Sequence, residues 1–468
     1  MVFAKFARLA ALAVLAASLV APSDAAPQLH SSVRRALRKQ GTVNLFITMK
    51  DGTESVVSSI KEAAFADRGT KIVHLVESLE QHSKQSQRAL TSILAQEVAT
   101  VEPLFSEYKS FWISNQVVIK DATLDLLEKL VSEPSIAKIT EEPVAEVPSF
   151  VGETVVANAS TVTTTAWGLL KTHVPQVWAT GNIGQNIVVG TIDTGVAVTH
   201  EILKDNFRSD YGWYDPEDHT STPSDWNGHG TFTAGIIVGA NGIGVAPGAT
   251  FITCKGGTKD GFFMSNLLAC AEFMTCPTDP TGNNKDCSKA PRLVSNSWVY
   301  GIEDDSYQAA VDAWQAVGII PIFAIGNDGR GGCDTDRSPG DLPNVISVGA
   351  VAADNSLADF SSKGPSYRIK PEITAPGVDI YSAWGPTDTS YRTASGTSAA
   401  APHAAGIVAL LLSAKPNLTY DQVRNAMLTT TERDLVFTGQ VCGGVSDTTF
   451  PNNHFGWGRI SATGVFTL

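Results

Sequence analysis

Four polar residues that could do chemistry stand far apart in the 468-residue chain, each beside glycine: Asp193 in TIDTGV, His229 in NGHGTFTAG, Asn327 in AIGNDG and Ser398 in SGTSAAAPH. Singly, each has an ordinary explanation. Asp193 and Asn327 suit Asx turns, and Thr397 or Ser398 suits a cap on the apolar run that follows. His229 suits a helix start or a metal ligand, although no second His, Cys or Glu accompanies it at ligand spacing. Together they form an acyl-transfer set. A serine hydroxyl is a weak nucleophile until a base takes its proton, and a neutral imidazole can do so near neutral pH. A carboxylate holds the imidazole tautomer and stabilises the imidazolium. A fixed amide such as that of Asn327 can donate to the oxyanion. Four unrelated turns and caps in the order Asp, His, Asn, Ser are a poorer account than one site.

These residues need a scaffold, and the sequence supplies its elements. Continuous apolar runs at 187–192, 250–255, 293–298, 319–325 and 345–351 read as buried strands. Helical periods lie at 230–240, 264–274 and 306–318, and after Ser398. Alternation of the two predicts an α/β fold, a mostly parallel sheet with helices on both faces. Ligands of such sheets bind beyond the carboxyl ends of the strands. Asp193 directly follows one predicted strand and Asn327 closely follows another.

The chain before residue 166 has a different character. Strands are expected at 43–50, 111–120 and 136–142, and helices at 71–100 and 122–133. The unit is a small α+β arrangement with no cysteine and no convergence of catalytic residue types. Residues 143–166, rich in Pro, Val, Thr and Ala without a helical period, read as a linker. Ahead of both, Lys5 and Arg8 precede an apolar run to about Val20 and the small residues SDA, the layout of a secretory signal with cleavage after Ala25. That run is shorter than a spanning helix needs, and no later segment reads as a membrane span. A secreted, extracellular protein is expected.

Cysteine usage agrees with that compartment. Six cysteines, Cys254, Cys270, Cys276, Cys287, Cys333 and Cys442, suggest disulfides, with Cys276–Cys287 the first pairing expected around a polar loop. Buried free thiols, Cys254 for example, are the alternative. Sequons at Asn158 and Asn417 are glycosylation acceptors if the host modifies them. A hydrophobic fraction of 43% describes a core-forming protein, and a net charge of −13 argues against nucleic acid as the partner.

The four motifs, with GVAPGA and ITAPGVDIYSA, resemble those of the subtilisin-like serine proteases over residues 166 to the end. WYDPED, GNDG and the Cys276–Trp298 stretch resemble the bacillopeptidase F branch. The resemblance implies a serine endopeptidase acting on proteins or peptides, with Asp193, His229 and Ser398 as the triad and Asn327 as oxyanion donor. It implies substrate contacts by Ser297, Trp298, Val299, Ala324, Ile325 and Gly326. It also implies a ferredoxin-like prodomain over residues 26–160 that assists folding and inhibits the enzyme, self-cleavage between about Pro143 and Ala166, and a catalytic domain over 161–468. A monomer with neither nucleic-acid nor membrane partners is expected. No cofactor is expected for the chemistry, and a structural calcium has no assignable residues.

The chain departs from the family pattern at Ala399, where Met is usual, and at Phe232-Thr233, where His-Val is common; neither removes a reacting group. Val299 stands where glycine is usual and should narrow the S1 pocket toward small P1 residues. A catalytically silent binding protein and a peptide ligase are the alternative functions; the first would be expected to lack a reacting residue, and the second would use the same residues.

Overall fold

The computed structural model describes residues 26–146, 149–158, 166–385 and 387–466. The expected signal segment and the predicted domain boundary at 160/161 lie outside the described residues.

The N-terminal region is built on a five-stranded sheet. In chain order it runs β1 (Gln28–Leu29), α1 (Ser31–Gln40), β2 (Thr42–Met49), α2 (Glu54–Glu62), α3 (Arg68–Ser86), α4 (Arg88–Val98), β3 (Glu107–Phe111), β4 (Gln116–Thr123), α5 (Leu124–Leu130) and β5 (Ile136–Glu141). The sheet order is β1-β5-β2-β4-β3. Two details differ from the sequence reading. The predicted single strand 111–120 is two antiparallel strands, because Asn115 takes a left-handed conformation (φ 51°) and turns the chain. The predicted helix 71–100 is two helices that meet at Gln87.

The stretch expected to be a linker forms strands. Residues β6 (Val144–Ala145) pair with β11 (Phe262–Phe263), and β7 (Val151–Asn158) pairs antiparallel with β17 (Ser390–Ser395), which also pairs with β16 (Ile380–Ala383). Neither pairing announces itself locally, since each partner edge lies over a hundred residues downstream.

After the short helices α6 (Trp167–Lys171) and α7 (Val174–Trp178) comes a seven-stranded parallel sheet. Its strands are β8 (Val188–Asp193), β9 (Trp213–Tyr214), β10 (Thr250–Lys255), β12 (Leu293–Asn296), β13 (Ile320–Ala324), β14 (Ile346–Val351) and β15 (Ile373–Pro376), in the order β15-β14-β13-β12-β8-β10-β9. Helices α8 (His229–Val238), α9 (Met264–Thr275), α10 (Gln308–Ala316), α11 (Thr397–Ala414) and α12 (Tyr420–Thr429) accompany it. Two large apolar clusters account for the layering. One joins the sheet to α8, α11 and α12; the other joins it to α9 and α10. The fold is the α/β arrangement expected, with helices on a parallel sheet.

Helix α11 is buried along its first sixteen residues, Thr397 to Leu412. By length and composition alone it could cross a membrane, which the sequence reading had not allowed for, but 89% of it is enclosed by protein. The cysteines form three disulfides, Cys254–Cys270, Cys276–Cys287 and Cys333–Cys442. The expected Cys276–Cys287 pair is therefore present, and the alternative of a free Cys254 is not.

Candidate active site

Three neighbouring strands explain why distant residues meet. In the order β13-β12-β8, the carboxyl ends deliver the Gly326-Asn327 turn, the Ser297-Trp298-Val299 segment and Asp193 to one edge of the sheet. Helices α8 and α11 pack against each other and begin at that same edge with His229 and Thr397-Ser398.

His229 Nδ1 lies 2.7 Å from Asp193 Oδ1, with both side chains buried. Asp193 is fixed in turn by the Thr194 N–H (2.8 Å) on Oδ1 and the Thr233 hydroxyl (3.2 Å) on Oδ2. The carboxylate therefore holds the imidazole by Nδ1, and the buried Nε2 has no hydrogen-bond partner. The Ser398 hydroxyl donates to the Ser297 carbonyl (3.2 Å) rather than to the imidazole, and Ser297 returns a bond from its own hydroxyl to the Ser398 carbonyl (3.1 Å). The Ser398 hydroxyl would have to rotate away from Ser297 to bond the imidazole instead.

Neither Thr397 nor Ser398 caps α11. Its N-cap is Gly396, with no side-chain cap bond. Thr397 instead donates its N–H and its hydroxyl to Asn327 Oδ1, both at 2.9 Å. Two donors on the oxygen fix which way the Asn327 amide faces and so which end is Nδ2, the donor end. The position of Asn327 also depends on Gly326. Its φ of +112° and its packing against Arg337 and Ser362 leave no room for a side chain.

A second carboxylate organises the histidine loop. Asp225 Oδ1 accepts from the Thr194 hydroxyl and from the N–H groups of Asn227 and Gly228; Oδ2 accepts from the N–H and hydroxyl of Thr231. Five donors on one carboxylate hold the strand-to-helix turn on which His229 rides. Gly228 completes that turn at φ +96°, where a β-carbon would stand 2.7 Å from the Trp384 ring. Sequence reasoning missed Thr194 and Asp225, took Thr397 for a cap candidate, and noted Thr233 only as a departure from the family pattern. The Asx pattern DWNG and the hydroxyl beside each reacting residue were the available signals.

A cavity of about 440 Å³ opens beside Ser398, lined by Ser297, Trp298, Val299, Ala324, Gly326 and Asn327, with the Arg337–Asp328 ion pair (2.8 Å) along one side. Of the expected substrate residues, Ile325 is fully buried and does not line it; the Trp298 ring packs into an aromatic core with Tyr300, Tyr307 and Phe323. The N-terminal region reaches this cleft. Val144, Glu146, Ser149 and Val151 line the same cavity, and the Phe150 ring stacks on His229 with centroids 5.0 Å apart.

Comparison with known families bears on this geometry directly: residues 184–458, more than half of the chain, match the model described as the subtilase family, Peptidase_S8. The chain belongs to the subtilase family. Subtilases are serine peptidases, and this subtilase brings a carboxylate, an imidazole, a hydroxyl and an oriented amide to one sheet edge. It is similar to bacillopeptidase F of Bacillus subtilis (strain 168), with 29% identity over 93% of this chain and 32% of that protein. It thus spans about a third of that relative's length. Subtilisin DY of Bacillus licheniformis is 34% identical over 57% of this chain and 91% of its own. Serine protease AprX of Bacillus subtilis (strain 168) is 31% identical over 53% of this chain and 62% of its own.

Among the described residues no group of three or more His, Cys, Asp or Glu could hold a metal ion. His403, on α11, bonds the Ala399 carbonyl at 2.8 Å, and burial pushes its pKa down to about 4, so it stays neutral.

Proposed function

We propose that this subtilase is a secreted serine endopeptidase made as a self-processing zymogen. The observation that carries the reading is the Asp193–His229 pair at 2.7 Å, with a buried, unpartnered Nε2, on helix α8, which packs against α11, the helix that carries Ser398. In the cycle proposed, Ser398 Oγ attacks the peptide carbonyl while His229 takes its proton, then returns it to the leaving amine. Asp193 orients the ring and stabilises the imidazolium. Asn327 Nδ2 and the Ser398 N–H bind the oxyanion. Water then repeats the sequence on the acyl-enzyme.

The N-terminal region acts as inhibitor in this reading. Its β6 is paired to β11 of the catalytic domain, and the Glu142 carboxylate accepts from Ser265 N–H in the first turn of α9, a favourable place for negative charge. Glu272, from the other end of α9, accepts the N–H groups of Trp112 and Ile113 (2.6 and 3.3 Å). The Arg68 guanidinium donates to the carbonyls of Ala290, Pro291 and Val317. Three disulfides support an oxidising destination.

Val299 and the Arg337–Asp328 pair in the cavity wall favour small P1 side chains. Hydrolysis of matched peptides with Ala or Phe at P1 tests that preference, and a strong Phe preference would refute it. The whole reading is tested by the intact mass of the secreted protein beside Ser398→Ala. Loss of the N-terminal region from wild type alone supports it; equal behaviour of the two proteins does not.

A further inference from the structure

Ser149 and Phe150, joined by one peptide bond, meet different members of the group gathered at the sheet edge. On its N-terminal side Ser149 lines the cavity that holds Ser398, Gly326 and Asn327. On its C-terminal side the Phe150 ring lies on the imidazole of His229 (5.0 Å, planes 29° apart), against Phe232 (4.6 Å) and beneath the Arg392 guanidinium (5.3 Å). The next residue, Val151, is paired with Ser395, three positions before Ser398. Acyl transfer is directional. The residue that becomes the ester must present its carbonyl to the oxyanion donor, and the residue that leaves must present its nitrogen to the acid that protonates it. Ser149 shares the cavity with Asn327, as Val151 does, and the Phe150 ring lies on the imidazole.

We propose that Ser149–Phe150 is the bond this chain cuts in itself, which rests on the serine-peptidase reading above. Ser398 Oγ bonds to the Ser149 carbonyl carbon, and its proton passes through His229 to the Phe150 nitrogen as the C–N bond breaks. Water then hydrolyses the ester, leaving a Ser149 carboxylate, a free Phe150 amine and a restored Ser398. Ser149 is small and exposed at the cavity that Val299 and Arg337 also line, and the aromatic ring keeps its place over the histidine on the leaving side.

The test is to express the full chain and sample it from the earliest detectable processing. The N-terminus of the large fragment and the C-terminal mass of the small one are read together, so later trimming is separated from the first cut. The expected result is abutting ends at Ser149 and Phe150 in wild type and no cut in Ser398→Ala. Ser149→Trp should slow the first cut by on the order of 100-fold by overfilling the cavity, whereas Ser149→Ala should process normally. Abutting ends at any other bond overturn the assignment and leave the peptidase reading standing. Cutting of Ser398→Ala, or none in wild type, overturns both.

Discussion

Ser398 and Asn327 are positioned by neighbours as much as by the helix and turn that carry them. Replacing Ser398 with Ala, or Asp193 with Asn, should lower kcat by on the order of 10⁴–10⁶, and Asn327→Ala by about 10²–10³; these magnitudes are those of subtilisin, a relative, not values derived from this chain. Thr397 offers a sharper test because its hydroxyl is bonded to Asn327 Oδ1. Its hydroxyl and N–H both hold Asn327 Oδ1, so Thr397→Val, which keeps the N–H, should cost about fivefold in kcat through a lost bond of about 1 kcal/mol. KM should stay unchanged and Thr397→Ser should recover the rate; a change in KM alone would contradict a positioning role. The residues proposed to react could be picked out in the sequence because each carries its glycine with it. The positioning residues were not, because a threonine that orients an amide looks like any threonine at a helix start.

At the scale of elements, the turn from the strand ending in Asp193 to the helix beginning at His229 depends on a single carboxylate. Asp225→Ala would leave five donors without their acceptor and should destabilise the fold by on the order of 2–4 kcal/mol. Denaturant unfolding in the Ser398→Ala background measures this, and an unshifted midpoint would argue that water replaces the carboxylate without penalty. Strands such as Ile320–Ala324 and Ile346–Val351 could be read from the chain because parallel strands covered on both faces are unbroken apolar runs. Val144–Ala145 and Val151–Asn158 could not. Short strands that complete another element's edge take their stability from that edge, so their own residues read as linker. The helices Ser31–Gln40 and Glu54–Glu62 also escaped notice, being short and largely polar on their outer faces.

At the scale of the molecule, the N-terminal region and the catalytic domain meet through buried polar groups whose charge responds to pH. Burial at their interface pushes the Glu272 pKa up to about 8, against the pull of Lys109 and two backbone N–H groups. On release, this carboxyl returns toward the ordinary carboxylate range, so binding takes up a proton. The interface contribution is therefore full below the ordinary carboxylate range and declines as pH rises toward about 8. Dissociation of the cut but still associated fragments, followed by size-exclusion chromatography from pH 5 to 9, should increase across that interval, and Glu272→Gln should flatten the dependence. A dissociation that strengthens as pH falls would reverse the sign and refute the argument. The chain that crosses the cleft has one more effect. Because strands on both sides of Phe150 are anchored to the same molecule, the scissile segment is presented at an effective concentration that no free peptide matches. If the segment is cut as proposed, first cleavage is a unimolecular clock, indifferent to how much protein is present, and the N-terminal region is afterwards held by affinity alone, so that dilution by itself would free the rest of the chain.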